Sequence, residues 1–337
     1  MINHIYQLIN PHFFSVVYDD INLDDGVIVR PRYMSICHAD QRYYLGKRDA
    51  NILRKKLPMA LIHECCGEVV YDKSKNFKPG QKVVLIPNVP GKKQEGIYEN
   101  YSEDAKFLSS SADGFMREFV NLPADRLVPF ENINLKIAAI TEFVSVAYHA
   151  CNRLQKIMHS KYDTIGIWGD GSLSYVLSCV LKERFPKTKI IVFGKDLVKL
   201  SYFTMSDETY TIDAIPKNMQ IDHAFECAGG EGSTFAINDI IKYIRPQGTV
   251  ALMGVSENKV PINTRDILEK GLTFIGCSRS GREDFLGSVN LMEKENFQTR
   301  LEAIITKEND VCSISDIHKV FGKDAYNLFK TVFEWNV

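Results

Sequence analysis

Short apolar runs separated by turn residues dominate the first 145 residues. Val27-Ile28-Val29, Val69-Val70 and Val83-Val84-Leu85-Ile86 are punctuated by Gly, Pro, Asn and Asp, which is the pattern of β-strands. The segment from Asn88 to Asp113 is polar and rich in Lys, Glu, Ser and Gly, and it reads as a long surface excursion. After it the pattern changes. Thr164-Ile165-Gly166-Ile167-Trp168 is an apolar run that ends in glycines, and Leu173, Val176, Leu177, Val180 and Leu181 then repeat at helical spacing. A second run, Lys189-Ile190-Ile191-Val192-Phe193, follows. Strand, glycine turn, helix and strand make a βαβ unit. Ile221 to Phe225, Thr249 to Met253 and Thr273 to Ile275 extend it into a parallel sheet.

The predicted fold class is therefore α/β. Residues 146–275 read as a doubly wound nucleotide-binding domain of the Rossmann type, preceded by a β-rich domain over residues 1–145. Periodicity does not place residues 276–337.

Composition narrows the function. The chain has 337 residues, 41 basic and 42 acidic, for a net charge of −1. That length suits two domains, and the balance argues against a nucleic-acid or membrane surface. No basic segment leads into an apolar one at the N-terminus, and no run is long enough to span a bilayer. The eight cysteines are scattered except for the pair Cys65-Cys66, which fits reduced thiols and a cytoplasmic protein.

The turn Gly169-Asp170-Gly171-Ser172-Leu173-Ser174 is a GxGxxS variant of the dinucleotide fingerprint, placed between a strand and a helix. Gly169 permits the tight turn, and Gly171 lets the N–H groups of Ser172 and Leu173 approach a pyrophosphate. At the end of the second strand an NAD site carries an acid for the ribose 2′-OH. Here the residues are Gly194 and Lys195. A missing carboxylate and an added cation favour NADP(H), although Asp196 follows one place on.

Two segments carry metal-ligand chemistry: Ile36-Cys37-His38-Ala39-Asp40 and Ile62-His63-Glu64. A thiolate, an imidazole and a carboxylate with one open position form a catalytic zinc site. Asp40 suits the far ring nitrogen of His63. Glu142, in Thr141-Glu142-Phe143-Val144, is either a first-turn helix acid or a carboxylate facing the metal.

CHAD, IHE and EFVSVAYHA together resemble motifs of the zinc-containing medium-chain dehydrogenase/reductase family, especially its polyol dehydrogenase branch. MSICHADQRYY, LPMALIHE, IGIWGDG, IIVFGK, DHAFECAGG, LMGVSE and KGLTFIGCSRSG are similar to the ribulose-5-phosphate reductases within it. The resemblance covers nearly the whole chain. It implies a GroES-like catalytic domain to which residues 276–337 return. It also implies one catalytic zinc, held by Cys37 and His63 with Glu64 or Glu142, and a homodimer. The reaction implied is NADPH-dependent reduction of D-ribulose 5-phosphate to D-ribitol 5-phosphate, whose product a cytidylyltransferase activates with CTP for teichoic acid or capsule polymers.

Several positions depart from the family pattern. Ile62 replaces a glycine, so a different backbone is expected there. Ala39 and Arg42 replace a hydroxyl and a histidine of the usual proton relay. The excursion from Asn88 to Asp113 has no cysteine, so the four-cysteine structural zinc lobe of many relatives is excluded. Arg42 is the first candidate for the substrate phosphate and Arg48 the second, because guanidinium binds phosphate in bidentate fashion. Ser278, Arg279 and Arg282 are candidates for cofactor or substrate. Each of these cations could equally be a solvated surface charge. Two alternatives remain at this stage: an NAD-linked sorbitol- or xylitol-type dehydrogenase, and a catalytically silent scaffold.

Overall fold

The computed structural model describes residues 1–337. It divides into two compact units, Met1–Ser145 with Ser280–Val337, and Val146–Arg279. No helix is long and apolar enough to cross a membrane.

The first unit is built on a seven-stranded sheet. Its main path runs Leu127–Pro129, Lys82–Leu85, Glu64–Asp72, Val27–Ile36, Lys330–Glu334 and Ile305–Lys307, and Val120–Leu122 also pairs with Val27–Ile36. The central strand Val27–Ile36 is thus flanked by an early strand and by the last strand of the chain. Register then does the positioning. Glu64 lies opposite Ser35, and Thr331 lies opposite Ile36. Glu64 and Lys330 therefore arrive on either side of the point where the central strand runs into Cys37. The core beneath is apolar and closed, with Val29, Met34, Leu61, Ile62, Phe115 and Phe333 each at most 1% exposed.

The segment from Asn88 to Asp113 is not a surface excursion throughout. Asn88, Asn100, Phe107, Leu108 and Ser109 are buried. Arg126 holds it, donating to the Asn88 carbonyl at 3.1 Å and to Glu99 at 2.9 Å. Within it the Ser102 hydroxyl accepts from the Gly91 N–H at 3.0 Å. Charge-assisted hydrogen bonds keep this polar segment in place.

The second unit is a six-stranded parallel sheet. Its order is Glu208–Thr211, Lys189–Gly194, Thr164–Trp168, His223–Glu226, Thr249–Leu252 and Thr273–Gly276. Numbered within the unit, that is 3-2-1-4-5-6, the doubly wound order whose ligand crevice opens at the carboxyl ends of the strands. Parallel strands covered on both faces need continuous apolar runs, and Ile190, Val192 and Phe193 are fully buried. The helix Ser172–Arg184 is buried at every residue from Ser174 to Leu181, a wider buried surface than the apolar stripe alone suggests.

One buried group in this unit makes stability depend on pH. The His223 Nδ1 accepts from the Thr249 N–H at 3.1 Å, and its Nε2 donates to the Lys161 carbonyl at 3.1 Å. Both bonds need the neutral ring with its proton on Nε2. Burial, followed by the neighbouring His159, lowers its pKa to about 4. The contribution is complete above the ordinary value of 6.5. It is lost as pH falls from 6.5 towards 4, because there the unfolded chain binds a proton that the folded one refuses. Between pH 7 and pH 4 wild type should lose roughly 2–3 kcal/mol that His223→Gln does not lose. Urea unfolding of both proteins across that range measures the difference, and parallel pH curves would remove His223 as the cause.

Candidate metal centre and dinucleotide turn

The first site begins where a strand becomes a helix. Cys37 precedes the helix His38–Tyr44 with extended backbone (φ −90°, ψ 151°), so its side chain is half-buried and spared from the core. Asp40, in the first helical turn, is fully buried. It accepts from the Cys37 N–H at 3.3 Å, the Ile62 N–H at 3.1 Å and the Ser109 hydroxyl at 2.5 Å. Its Oδ2 stands 3.4 Å from His63 Nδ1, an ion-pair separation rather than a short hydrogen bond. Burial raises this carboxyl's pKa, but His63, Ser109 and the Ile62 N–H outweigh it and hold the group below its ordinary value.

Asp40 thus ties three segments together: the helix start, the strand entry at Ile62 and the returning end of the polar segment. Phe107 of that segment packs edge-on against the His63 ring, with centroids 5.3 Å apart. Ile62 stands where the family motif has a glycine. It adopts φ +70°, the left-handed region that glycine enters freely and a β-branched residue enters at a cost of about 1–3 kcal/mol. The bonds to its N–H and carbonyl, the latter from Phe115 N–H at 2.7 Å, hold it there.

One ligand atom each from Cys37, His63 and Glu64 lie within 4.8 Å of one another. Glu64 is fully buried, and its Oε1 accepts from Lys330 Nζ at 2.6 Å. Its Oε2 is buried with no hydrogen-bond partner. An orphaned carboxylate oxygen in a closed pocket is costly unless a cation meets it. The surroundings favour a cation. Asp40, Glu64 and Glu142 are buried acids, with Lys330 the buried base. Burial opposes a charged His63, yet Asp40 and then Cys37 raise its pKa well above 6.5. Sulfur, nitrogen and carboxylate donors form a zinc set, so the residues fit that ion.

Glu142 is not a member of that triplet. It sits in the first turn of the helix Thr141–Ile157 and is 5% exposed. Burial pushes its pKa up to about 7, with His63 acting against the shift and Glu64 adding to it. Cations surround His38, the residue after Cys37. Burial lowers the His38 pKa, and Arg42, Arg48 and Lys47 lower it further. Arg42 Nε donates to the Lys47 carbonyl at 3.2 Å, and the Arg48 guanidinium lies 4.5 Å over the Tyr43 ring.

Sequence reasoning missed Lys330, Ser109 and Phe107. No local signal marks Lys330, whose placement depends on pairing between chain ends. Ser109 and Phe107 were hidden in a segment polar enough to pass for surface.

In the second unit Gly169 follows the strand Thr164–Trp168 at φ +133°. A Cβ there would stand 2.8 Å from Ser174 Oγ and 3.0 Å from the Cys227 carbonyl. Gly171 precedes the helix Ser172–Arg184, so Ser172 and Leu173 present the unpaired N–H groups of its first turn. Gly194 ends the neighbouring strand, with Lys195 exposed beyond it. Ser278 and Arg279 follow the last strand, Thr273–Gly276, at the same carboxyl end of the sheet. Arg282 is elsewhere, donating from Nη1 to the Leu127 carbonyl at 2.9 Å in the first unit, which is a structural role.

Known proteins share this arrangement. Residues 23–132 match the alcohol dehydrogenase GroES-like domain, and residues 194–294 match the zinc-binding dehydrogenase domain. The ribulose-5-phosphate reductase of Streptococcus pneumoniae is 52% identical over 100% of this chain and 98% of its own length. Ribulose-5-phosphate reductase 1 of Staphylococcus aureus is 48% identical over 99% of both. The crystal structure of S. aureus TarJ in complex with NADPH superposes with a TM-score of 0.90 at 45% identity, covering 100% of both chains. Fold, metal set, glycine turn and full-length similarity agree: the chain belongs to the zinc-binding, GroES-like dehydrogenase family, in the group that holds the ribulose-5-phosphate reductases.

Proposed function

We propose that this enzyme reduces D-ribulose 5-phosphate to D-ribitol 5-phosphate with NADPH, using one zinc held by Cys37, His63 and Glu64. The carrying observation is the buried triplet with its unpartnered Glu64 oxygen, in a chain about half identical to reductases of that name. Bound zinc supplies Lewis-acid polarisation of the ketone, and NADPH supplies the hydride. The chain supplies the rest. Asp40, 3.4 Å from His63 Nδ1, would orient the ring by ion pairing, and Lys330 would hold one Glu64 oxygen while the unpartnered one stays available to the ion. Ala39 offers no hydroxyl, so the proton reaches the product oxygen through water, the cofactor ribose or a carboxylate.

Arg42 and Arg48, which act together on His38 beside Cys37, supply the positive charge a sugar phosphate needs. Replacing Arg42 with alanine should raise KM for ribulose 5-phosphate roughly 10–100-fold more than for ribulose, the worth of a charged hydrogen bond. Equal effects on the two ketones would remove Arg42 from the phosphate site. The reading as a whole is tested by NADPH oxidation with ribulose 5-phosphate, ribulose and xylulose 5-phosphate in parallel. No advantage for ribulose 5-phosphate would defeat the substrate assignment.

The partner this reading implies is a cytidylyltransferase that consumes the product with CTP in the cytoplasm. A homodimer is also proposed, through the strand Thr273–Gly276. That strand is the last in the order of the parallel sheet, the place where a second sheet could continue it.

A further inference from the structure

Two carboxylates lie beside the strand end that governs cofactor choice, and both have bonded oxygens. Asp196 caps the short helix Leu197–Leu200, its Oδ1 accepting from Val198 N–H at 2.8 Å and Lys199 N–H at 3.2 Å. One of its oxygens is thereby committed to the helix cap. Asp170, the residue between the two turn glycines, reaches across to the same loop. Its Oδ2 accepts from Lys195 N–H at 2.6 Å and from Asp196 N–H at 2.7 Å.

The same side chain fills the space over Gly194. A Cβ at that position would stand 2.6 Å from Asp170 Cβ and 2.7 Å from its Oδ2. Real contacts are not that short, so no side chain fits at 194 while Asp170 is in place. Position 194 ends the second strand, where an acid must stand to bind a ribose 2′-OH. From this the geometry points to Asp170 as the positioning residue that sets cofactor choice. Its side chain, Cβ as well as carboxylate, leaves no room for an acid at 194, and its carboxylate fixes the peptides on both sides of Lys195, so that this lysine meets the 2′-phosphate.

The chemistry is consistent in sign. A bare carboxylate near a 2′-phosphate would repel it. Here the charge is directed into two backbone N–H groups, both at charge-assisted distance. Lys195 stays exposed, with its backbone held at N–H and its side chain unhindered. The inference rests on the NADPH reading above, and the experiment separates the two.

Full-length, zinc-loaded wild type, Asp170→Ala, Asp170→Asn, Gly194→Asp and the pair Gly194→Asp with Asp170→Gly are compared. The readouts are the dissociation constants of NADPH and NADH by fluorescence titration without substrate, together with KM and kcat for both at saturating ribulose 5-phosphate. Asp170→Ala should raise KM for NADPH about tenfold or more and KM for NADH by less than about threefold, with kcat little changed. Asp170→Asn keeps an accepting oxygen and should recover part of the loss. Gly194→Asp alone should impair both cofactors through the clash. The paired variant, with that space vacated, should prefer NADH.

Equal KM increases for both cofactors in Asp170→Ala would reduce Asp170 to a loop brace and overturn the inference alone. A Gly194→Asp enzyme that uses NADH well would also overturn it. A wild type with no preference for NADPH would overturn the cofactor reading and this inference together.

Discussion

Replacing Cys37 with alanine should strip the zinc and lower kcat/KM for ribulose 5-phosphate by about 10³–10⁴. Metal polarisation of a carbonyl is worth several kcal/mol of transition-state stabilisation, and each ~1.4 kcal/mol is a factor of ten. The loss should be chemical rather than architectural. Cys37 is half-buried, and alanine keeps the backbone N–H that donates to Asp40. The zinc-free protein should therefore lose less than about 1 kcal/mol of stability, as at positions outside a packed core. NADPH binding should persist, because the glycine turn belongs to the other unit. Zinc content, NADPH fluorescence and turnover of the same preparation test all three points. A variant that retains one zinc and near-normal turnover would remove Cys37 from the ligand set.

What the sequence disclosed depended on the range of the interaction. The parallel sheet and its glycine turn were legible because strand period, turn glycines and helix stripe are all local. CHAD and IHE were legible as ligand chemistry for the same reason, each being a few residues long. The choice between Glu64 and Glu142 was not. It depends on which carboxylate the sheet register carries beside Cys37, and that register pairs residues about 30 apart with others about 300 apart.

Ile62 illustrates a different limit. Side-chain type argues against a left-handed backbone there, yet bonds from Ile62 N–H to Asp40 and from Phe115 to its carbonyl impose one. Tertiary bonds overrode local preference at a residue adjoining a metal-ligand candidate, where such strain is commonly kept. Gly194 shows the reverse case. Its missing side chain was legible as cofactor preference, but the reason for it, the Asp170 side chain 24 places earlier and across the neighbouring strand end, was not.

Lys330→Met should separate the two candidate carboxylates. Lys330 is 4% exposed, donates to the Ile36 carbonyl at 2.9 Å and to Glu64 at 2.6 Å, and lies 4.6 Å over the Phe143 ring. Burial opposes its charge, but Glu64, Cys37 and Asp324 more than offset that and raise its pKa. Methionine keeps the apolar stem and removes the ammonium. In chelator-treated enzyme both Glu64 oxygens are then buried without a partner, and stability should fall by about 3–5 kcal/mol, as when one member of a buried pair is removed. In zinc-loaded enzyme the ion still meets Glu64. The loss should shrink to about 1–2 kcal/mol, mostly for the unpaired Ile36 carbonyl. The gap in unfolding free energy between zinc-loaded and chelated protein should therefore widen in the variant. If instead both forms lose the same amount, Glu64 does not face the metal and Glu142 takes its place in the set. Adding Glu64→Leu to Lys330→Met removes the stranded charge and should restore much of the zinc-free stability, so misfolding of the single variant cannot pass for the effect.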